Sequence, residues 1–452
     1  KTLVLASLEA WETVADIDFR VTRSAADISF TANGFGATTT ALYQTNGDMV
    51  SATVMIGQGW INTHGASLGS YSTQTYIHEI GHALGLGHAG GYGTVGGTRF
   101  ANDSWQMSVM SYNSQTENPI TGASRAVAIT PMMADIVAIQ SLYGKPDGGA
   151  TAGNTTFGRG SDLGTYLDDV FLAQGASLSR NAITIYDEGG LDRIDFSSDT
   201  RSQRINLNEK TFSDVYGLKE NLAIAKGTVI EYLVAGSGND TITGNAAGNI
   251  FKGMNGNDVL RGGLGVDTLD GGNGNDKLFG GTSTDFLIGG AGNDSLYGET
   301  GTDNLKGGFG NDLLYGGTQN DLLDGQDGND RLYGGDGADR LYGGRQDDTL
   351  YGGAGNDLLD GGSGNDTLEG GPGADIFVFT GGRDRIVGFT NDVDTLRLDD
   401  ALWGGQRLSI DQILDFADVQ NGRVVFNFGV GISLAVEGIS TVDALRNDLA
   451  IV

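Results

Sequence analysis

The chain has 452 residues, enough for two or three domains rather than a single core. Its 57 Asp and Glu against 27 Lys and Arg give a formal net charge of −30, which repels nucleic acid and anionic membranes and argues against both as partners. It has no cysteine, hence no disulfide framework or thiolate metal site, and no apolar run of the roughly 18 residues that stable membrane insertion needs.

Leu3, Leu5, Leu8, Trp11 and Val14 recur at helical spacing and predict an amphipathic helix over residues 2–15. Ile17–Val21 and Ile28–Phe30 alternate as short strands, and Met49–Ile56, rich in Val, Thr and Met, reads as a longer one. A helix at about 73–85 then carries His78 and His82. At about 100° per residue, side chains four positions apart lie some 40° from each other, one turn up, so both imidazoles reach a single ion. On a continuous helix His88 would lie about 15 Å along the axis from His78, far outside a sphere with Zn–N near 2.0–2.1 Å. The chain must turn back, and Gly85 is placed to do it, since glycine takes the left-handed conformation at little steric cost. Glu79, beside the first histidine, is placed to face a water on the ion without itself being a ligand.

The stretch His78-Glu79-Ile80-Gly81-His82-Ala83-Leu84-Gly85-Leu86-Gly87-His88 holds three of the four histidines in the chain, more than a buried amphipathic helix would collect by chance. It resembles the metzincin zinc endopeptidases. Ser108-Val109-Met110-Ser111-Tyr112 matches that family's methionine turn. The resemblance implies a catalytic zinc held by His78, His82 and His88, with Glu79 as general base. It also implies that Met110 forms an apolar floor and that Tyr112 reaches the zinc or the oxyanion. A sheet edge ahead of the zinc helix pairs with extended substrate in that family; Ala52–Gly57 is a candidate for it, internal pairing being the alternative.

Residues 130–144 have Pro131 at a helix start and Gly144 at its end, and should pack on the floor of the site. Ending in Leu142-Tyr143-Gly144, the segment is similar to the serralysin branch of the metzincins. That branch has Pro after the third histidine, where this chain has Ala89. Its catalytic domain also carries sheet and helix ahead of the helix at which this chain starts. Residues 146–235 read as β structure joining two units. In Asp187-Glu188-Gly189-Gly190-Leu191-Asp192 the acids suit either calcium or a polar turn, and similarity to serralysins tips Asp187 and Asp192 toward calcium.

From Asp240 the chain is periodic. Aspartates stand at Asp240, Asp258, Asp267, Asp276, Asp285, Asp294, Asp303, Asp312, Asp321, Asp330, Asp339, Asp348, Asp357, Asp366 and Asp375, an interval of nine broken only by Asn249. Two residues after each position comes a large apolar side chain, from Ile242 to Phe377, and glycines fill most of the positions two, four and five residues before each Asp. This is the nonapeptide of a parallel β-roll, with a three-residue strand per repeat and turns whose carbonyls and carboxylates meet at calcium distances of about 2.3–2.6 Å. A core of one leucine per repeat is too thin to offset stacked carboxylates, so folding and calcium binding should be one event. Beyond Phe377 the repeats stop, and Ile376–Phe379, Thr395–Leu398, Val424–Phe428 and Ile432–Val436 read as capping strands.

The array resembles the repeats-in-toxin module of bacterial type I secreted proteins. Asp448-Leu449-Ala450-Ile451-Val452 is similar to the uncleaved C-terminal secretion signal of serralysins. The expected fold is multidomain α+β: a metzincin-like domain over 1–145, a β-rich connection over 146–235, a β-roll over 236–377 and a β cap over 378–452. The expected function is a calcium-stabilised zinc endopeptidase acting on extracellular proteins. It would be a monomer exported by type I machinery without an N-terminal signal peptide. The rival readings are a calcium-dependent surface or adhesion protein and a zinc-binding but inactive relative.

Overall fold

The computed structural model describes residues 1–22, 26–44, 49–88, 107–111, 126–172 and 181–451. The backbone divides into two compact units, Lys1–Ser237 and Gly238–Val452.

In the first unit, helix α1 (Thr2–Glu12) buries Leu3, Ala6, Leu8, Ala10 and Trp11. Leu5 stays 39% exposed, because it falls outside the stripe set by Leu3, Leu8 and Trp11. The helix ends at Glu12, short of the expected residue 15. Ile17–Val21 forms no strand: its side chains alternate, but no neighbouring strand among the described residues supplies a ladder. Strands β1 (Ile28–Thr31), β2 (Ala37–Tyr43) and β3 (Met49–Ile56) form a sheet in the order β1-β3-β2, with β1 parallel and β2 antiparallel to β3. Ala52–Gly57 therefore belongs to an internal strand, and the candidate edge moves to β2. Ala52, Val54 and Ile56 face inward and form a core with Leu3, Tyr76 and Ala83.

After the short helix α2 (Gln58–His64) comes α3 (Tyr71–Ala83), which carries the histidine motif. The indole of Trp11 donates to the carbonyl of Ile77 at 3.1 Å and fixes α1 against α3. Strand β4 (Val127–Ala128) precedes α4 (Met133–Tyr143), which the sequence places nearly correctly. Gly144 follows with φ 90°, and the Tyr143 hydroxyl donates to Leu84 O at 3.0 Å, tying α4 to the end of α3. The rest of the unit is mostly short strands, as expected, but Tyr166–Leu172 forms a short helix where the sequence reading had only β structure. Residues 156–158, 193–195 and 232–234 form one parallel ladder, and Asn181–Ile185 is wholly buried beside β4 and Leu222–Ile224.

The second unit is a parallel β-solenoid. Strands pair with those eighteen residues away, as Leu269 with Leu287 and Leu287 with Leu305, so one turn takes two nonapeptides. The strands are longer than the three residues expected, for example Thr268–Asn273, because glycine pairs such as Gly272 and Gly290 continue the ladder. Each lattice apolar residue from Ile242 to Phe377 is buried in the core. On one outer face Phe279, Tyr297, Tyr315, Tyr333 and Tyr351 stack, with ring centroids 4.9, 5.2, 4.7 and 4.8 Å apart. Such a ladder keeps adjacent turns in register.

The coil does not stop at Phe377. Arg383–Val387 pairs with Thr367–Glu369, Thr395–Leu398 with Ile376–Phe379, and Leu449–Ile451 with Leu396–Leu398. An antiparallel hairpin, Arg423–Gly429 with Ile432–Val436, then covers one edge.

Candidate metal centre

Helix α3 ends in a Schellman motif: Leu86 N donates to Gly81 O at 2.9 Å and Gly85 N to His82 O at 3.1 Å. Gly85 takes φ 98°, the left-handed turn its position predicts, and the chain doubles back. The Nε2 atoms of His78, His82 and His88 then lie 3.1, 2.8 and 3.2 Å apart. Four tetrahedral ligands at Zn–N of about 2.0–2.1 Å have edges of about 3.3 Å, so the triangle is close to that of one coordination sphere. His78 Nδ1 lies 2.8 Å from Val109 O, and His82 Nδ1 lies 2.9 Å from Leu86 O. A carbonyl only accepts, so both rings carry their proton on Nδ1 and present a bare Nε2 lone pair. Lone pairs facing each other at 3 Å repel unless a cation sits among them. Burial also pushes His78 and His88 down to about 4, keeping both imidazoles neutral as metal ligation requires. By donor set, tautomer and spacing, the residues fit zinc.

Glu79 is 7% exposed, and its Oε2 accepts from the Thr39 hydroxyl at 2.8 Å. Burial raises its carboxyl above the usual range, and that hydroxyl opposes the rise. A cleft of about 410 Å³ is lined by Ala37, Thr38, Thr39, Ala41, Glu79, His82 and His88. Met110 is buried against α3 at Gly81, where an added Cβ would come 2.6 Å from its sulfur and 3.0 Å from Trp11. Tyr112 and Ala89 lie outside the described residues.

Sequence reasoning missed Asp135. Its carboxylate accepts from Ser108 Oγ at 2.6 Å, Val109 N at 2.7 Å and Met132 N at 2.8 Å, clamping the methionine turn to the start of α4. Burial pushes it up to about 6 despite these donors. Its only signal in the sequence was an acid three residues past a helix start. Asp135→Ala strips three buried donors of their acceptor and should cost about 3–5 kcal/mol. Because Val109 O orients His78, zinc content should fall as well. Thermal melting with metal analysis checks this, and an unchanged melting temperature would contradict the clamp.

The lattice aspartates share one geometry. From Asp258 to Asp375, each Oδ1 accepts the backbone N–H of the residue eighteen positions earlier, as Asp258 from Asp240 at 2.7 Å and Asp294 from Asp276 at 2.8 Å. The Oδ2 atoms of Asp258, Asp267, Asp276, Asp285, Asp294, Asp303, Asp312, Asp321, Asp330, Asp339, Asp348, Asp357, Asp366 and Asp375 are buried with no hydrogen-bond partner. Glycine backbone closes on each orphan oxygen where no side chain fits: a Cβ on Gly289 would collide with Asp294 Oδ2 and with the Gly307 carbonyl. Buried carboxylate oxygens next to carbonyls, unpaired by any donor, fit calcium. Burial, helped by neighbouring aspartates, pushes Asp258 and Asp348 up to about 8 and Asp294 to about 7. Asn249 explains itself: its amide oxygen accepts Asn245 N at 2.9 Å, so no charge is buried there.

Two further acids continue the lattice. Asp384 Oδ1 accepts Asp366 N and Asp394 Oδ1 accepts Asp375 N, each at 3.0 Å. In the first unit, both oxygens of Asp187 and Oδ2 of Asp192 are buried without a partner. Burial, then Asp192 and Glu231, push Asp187 up to about 8. Glu231, which accepts Asp192 N at 2.8 Å, was not foreseen because it lies 39 residues away.

Residues 149–428 match the family described as Peptidase M10 serralysin C terminal, and residues 16–121 match Peptidase M66. Metalloprotease AprA of Pseudomonas entomophila (strain L48) is 37% identical over 270 residues, 54% of this chain and 53% of that protein. Serralysin of Photorhabdus luminescens is 36% identical over 261 residues, 54% of this chain and 52% of its own. Serralysin C of Dickeya chrysanthemi is 40% identical over 199 residues, covering 41% and 40%. The chain thus spans about half the length of the curated relatives it matches. With a family match running from residue 149 to 428, well over half its length, the chain belongs to the Peptidase M10 serralysin C-terminal family.

Proposed function

We propose that the protein is a secreted, calcium-stabilised zinc endopeptidase with a metzincin-type catalytic domain. The observation that carries this reading is the convergence of three Nε2 lone pairs, two of them fixed as acceptors by carbonyls on Nδ1. His78, His82 and His88 would hold zinc, which when bound supplies a Lewis acid that polarises a peptide carbonyl and makes water acidic. Glu79 takes the proton from the attacking water and delivers it to the leaving amine nitrogen. Tyr112, on the family's pattern, helps hold the oxyanion. Substrate would lie extended along β2, which pairs with β3 on one side and lines the cleft. Met110 and Gly81 close the site from below and keep water from the inner side of the histidines.

In the second unit the lattice aspartates, with Asp384 and Asp394, would ligate calcium; in the first, Asp187 and Asp192 with Glu231 would do the same. The division into 1–145, 146–235, 236–377 and 378–452 is the functional partition this implies. Extracellular location and export by type I machinery belong to the same proposal. No helix among the described residues is long and apolar enough to cross a membrane.

The test is casein digestion at fixed calcium with and without a zinc-selective chelator. Activity should vanish on zinc removal and return on adding zinc alone; digestion undiminished in a chain shown to be zinc-free would refute the reading.

A further inference from the structure

We propose that Thr39, on strand β2, is a positioning residue that fixes the orientation of the Glu79 carboxylate, turning one of its oxygens toward the water. The inference rests on the endopeptidase reading above. Thr39 Oγ1 lies 2.8 Å from Glu79 Oε2 and 2.8 Å from the main-chain oxygen of the same residue. A hydroxyl has one proton, so it donates to one of these acceptors at a time. Donated to Oε2, the charged and stronger acceptor, it holds the carboxylate against its own helix. The last torsion of a glutamate is broad, so without a tether the plane of the Glu79 carboxylate would be poorly fixed and its oxygens would often point away from the water. With Oε2 held by Thr39, Oε1 has no protein donor among the described residues and is the oxygen left for the water.

The tether comes from the strand that lines the cleft, not from the helix bearing the metal ligands. Along the face of β2 turned to α3, Ala37 and Ala41 flank Thr39 and have no side-chain polar atom. No strand among the described residues pairs with β2 on its far side. A peptide laid along that edge would therefore stiffen the segment that carries the tether, tying substrate docking to the placement of the base.

Thr39→Val keeps the branched shape and the strand preference but removes the donor, while Thr39→Ser keeps the donor and removes the methyl group. In Thr39→Val, kcat should fall about 10- to 100-fold, with KM within about two-fold and zinc content unchanged. Thr39→Ser should recover most of the loss. In the metal-free chain, the Glu79 carboxylate stretch, isolated by subtracting the Glu79→Gln infrared spectrum, should shift in Thr39→Val and return in Thr39→Ser. Wild-type kcat in Thr39→Val, or a Thr39→Ser variant as slow as Thr39→Val, would overturn the proposal. Glu79→Gln assayed in parallel separates the two readings. If it retains turnover, the base assignment fails; if it is inactive while Thr39→Val is fast, only the positioning role fails.

Discussion

Replacing Glu79 by Gln should leave zinc bound and the fold unchanged while lowering kcat/KM for casein by roughly 10²- to 10⁴-fold. Glutamine has the same heavy-atom shape, and its amide oxygen can still accept from the Thr39 hydroxyl that now holds Oε2 at 2.8 Å. The rings of His78 and His82 keep their contacts, since their Nδ1 partners are the carbonyls of Val109 and Leu86. Only the capacity to take a proton is removed. The environment of Glu79 suits that capacity. Burial raises its carboxyl above the ordinary carboxylate range, toward the pH at which a base must accept and release a proton in one cycle. Metal analysis, melting and steady-state kinetics on one preparation separate chemistry from structure. A zinc-replete, folded Glu79→Gln variant that digests casein at the wild-type rate would remove Glu79 from the mechanism.

The parts legible in the sequence were those in which one residue type at one spacing carries the physics. Gly85 had to end the helix because nothing else brings His88 back, and it does so with φ 98°. The nine-residue lattice had to be a roll because only stacked strands keep every ninth apolar residue inside. Strand β2 was not legible: Ala37, Thr39 and Ala41, which it turns toward α3, are small, so no apolar alternation betrays it. Thr39 and Asp135 act on partners 40 and 27 positions away, a separation that no local pattern records. Asp384 was legible, since it stands nine residues after Asp375 with Ile386 two further on; Asp394 was not, because there the interval widens from nine to ten as the roll meets its cap. Its hydrogen bond keeps the register that the spacing loses.

Withdrawing calcium at neutral pH should unfold the solenoid, and acidification should partly restore it. In the metal-free fold, orphan Oδ2 atoms recur along the roll, each a buried carboxylate oxygen without a donor. Burial pushes these acids up, to about 8 at Asp258, Asp348 and Asp384 and to about 6 at Asp276 and Asp330, from an ordinary 3.8. The folded chain therefore binds protons more tightly than the unfolded one. Its stability without metal is greatest below about pH 4 and is lost as pH rises through 6 to 8. At pH 8 the carboxylates ionise on unfolding, and a core of one large apolar residue per nonapeptide has little to set against that gain. Calcium reverses the balance by supplying charge to the same oxygens, so its apparent affinity should weaken as pH falls and protons compete. In chelator, the β signal of the roll in far-ultraviolet circular dichroism should be largely lost at pH 8 and partly regained at pH 5. The near-ultraviolet signal of the stacked Tyr297, Tyr315, Tyr333 and Tyr351 should follow it, because those rings touch only when adjacent turns are in register. Millimolar calcium at pH 8 should restore both. A roll that keeps its full signal in chelator at pH 8 would mean that the buried carboxylates are satisfied without metal.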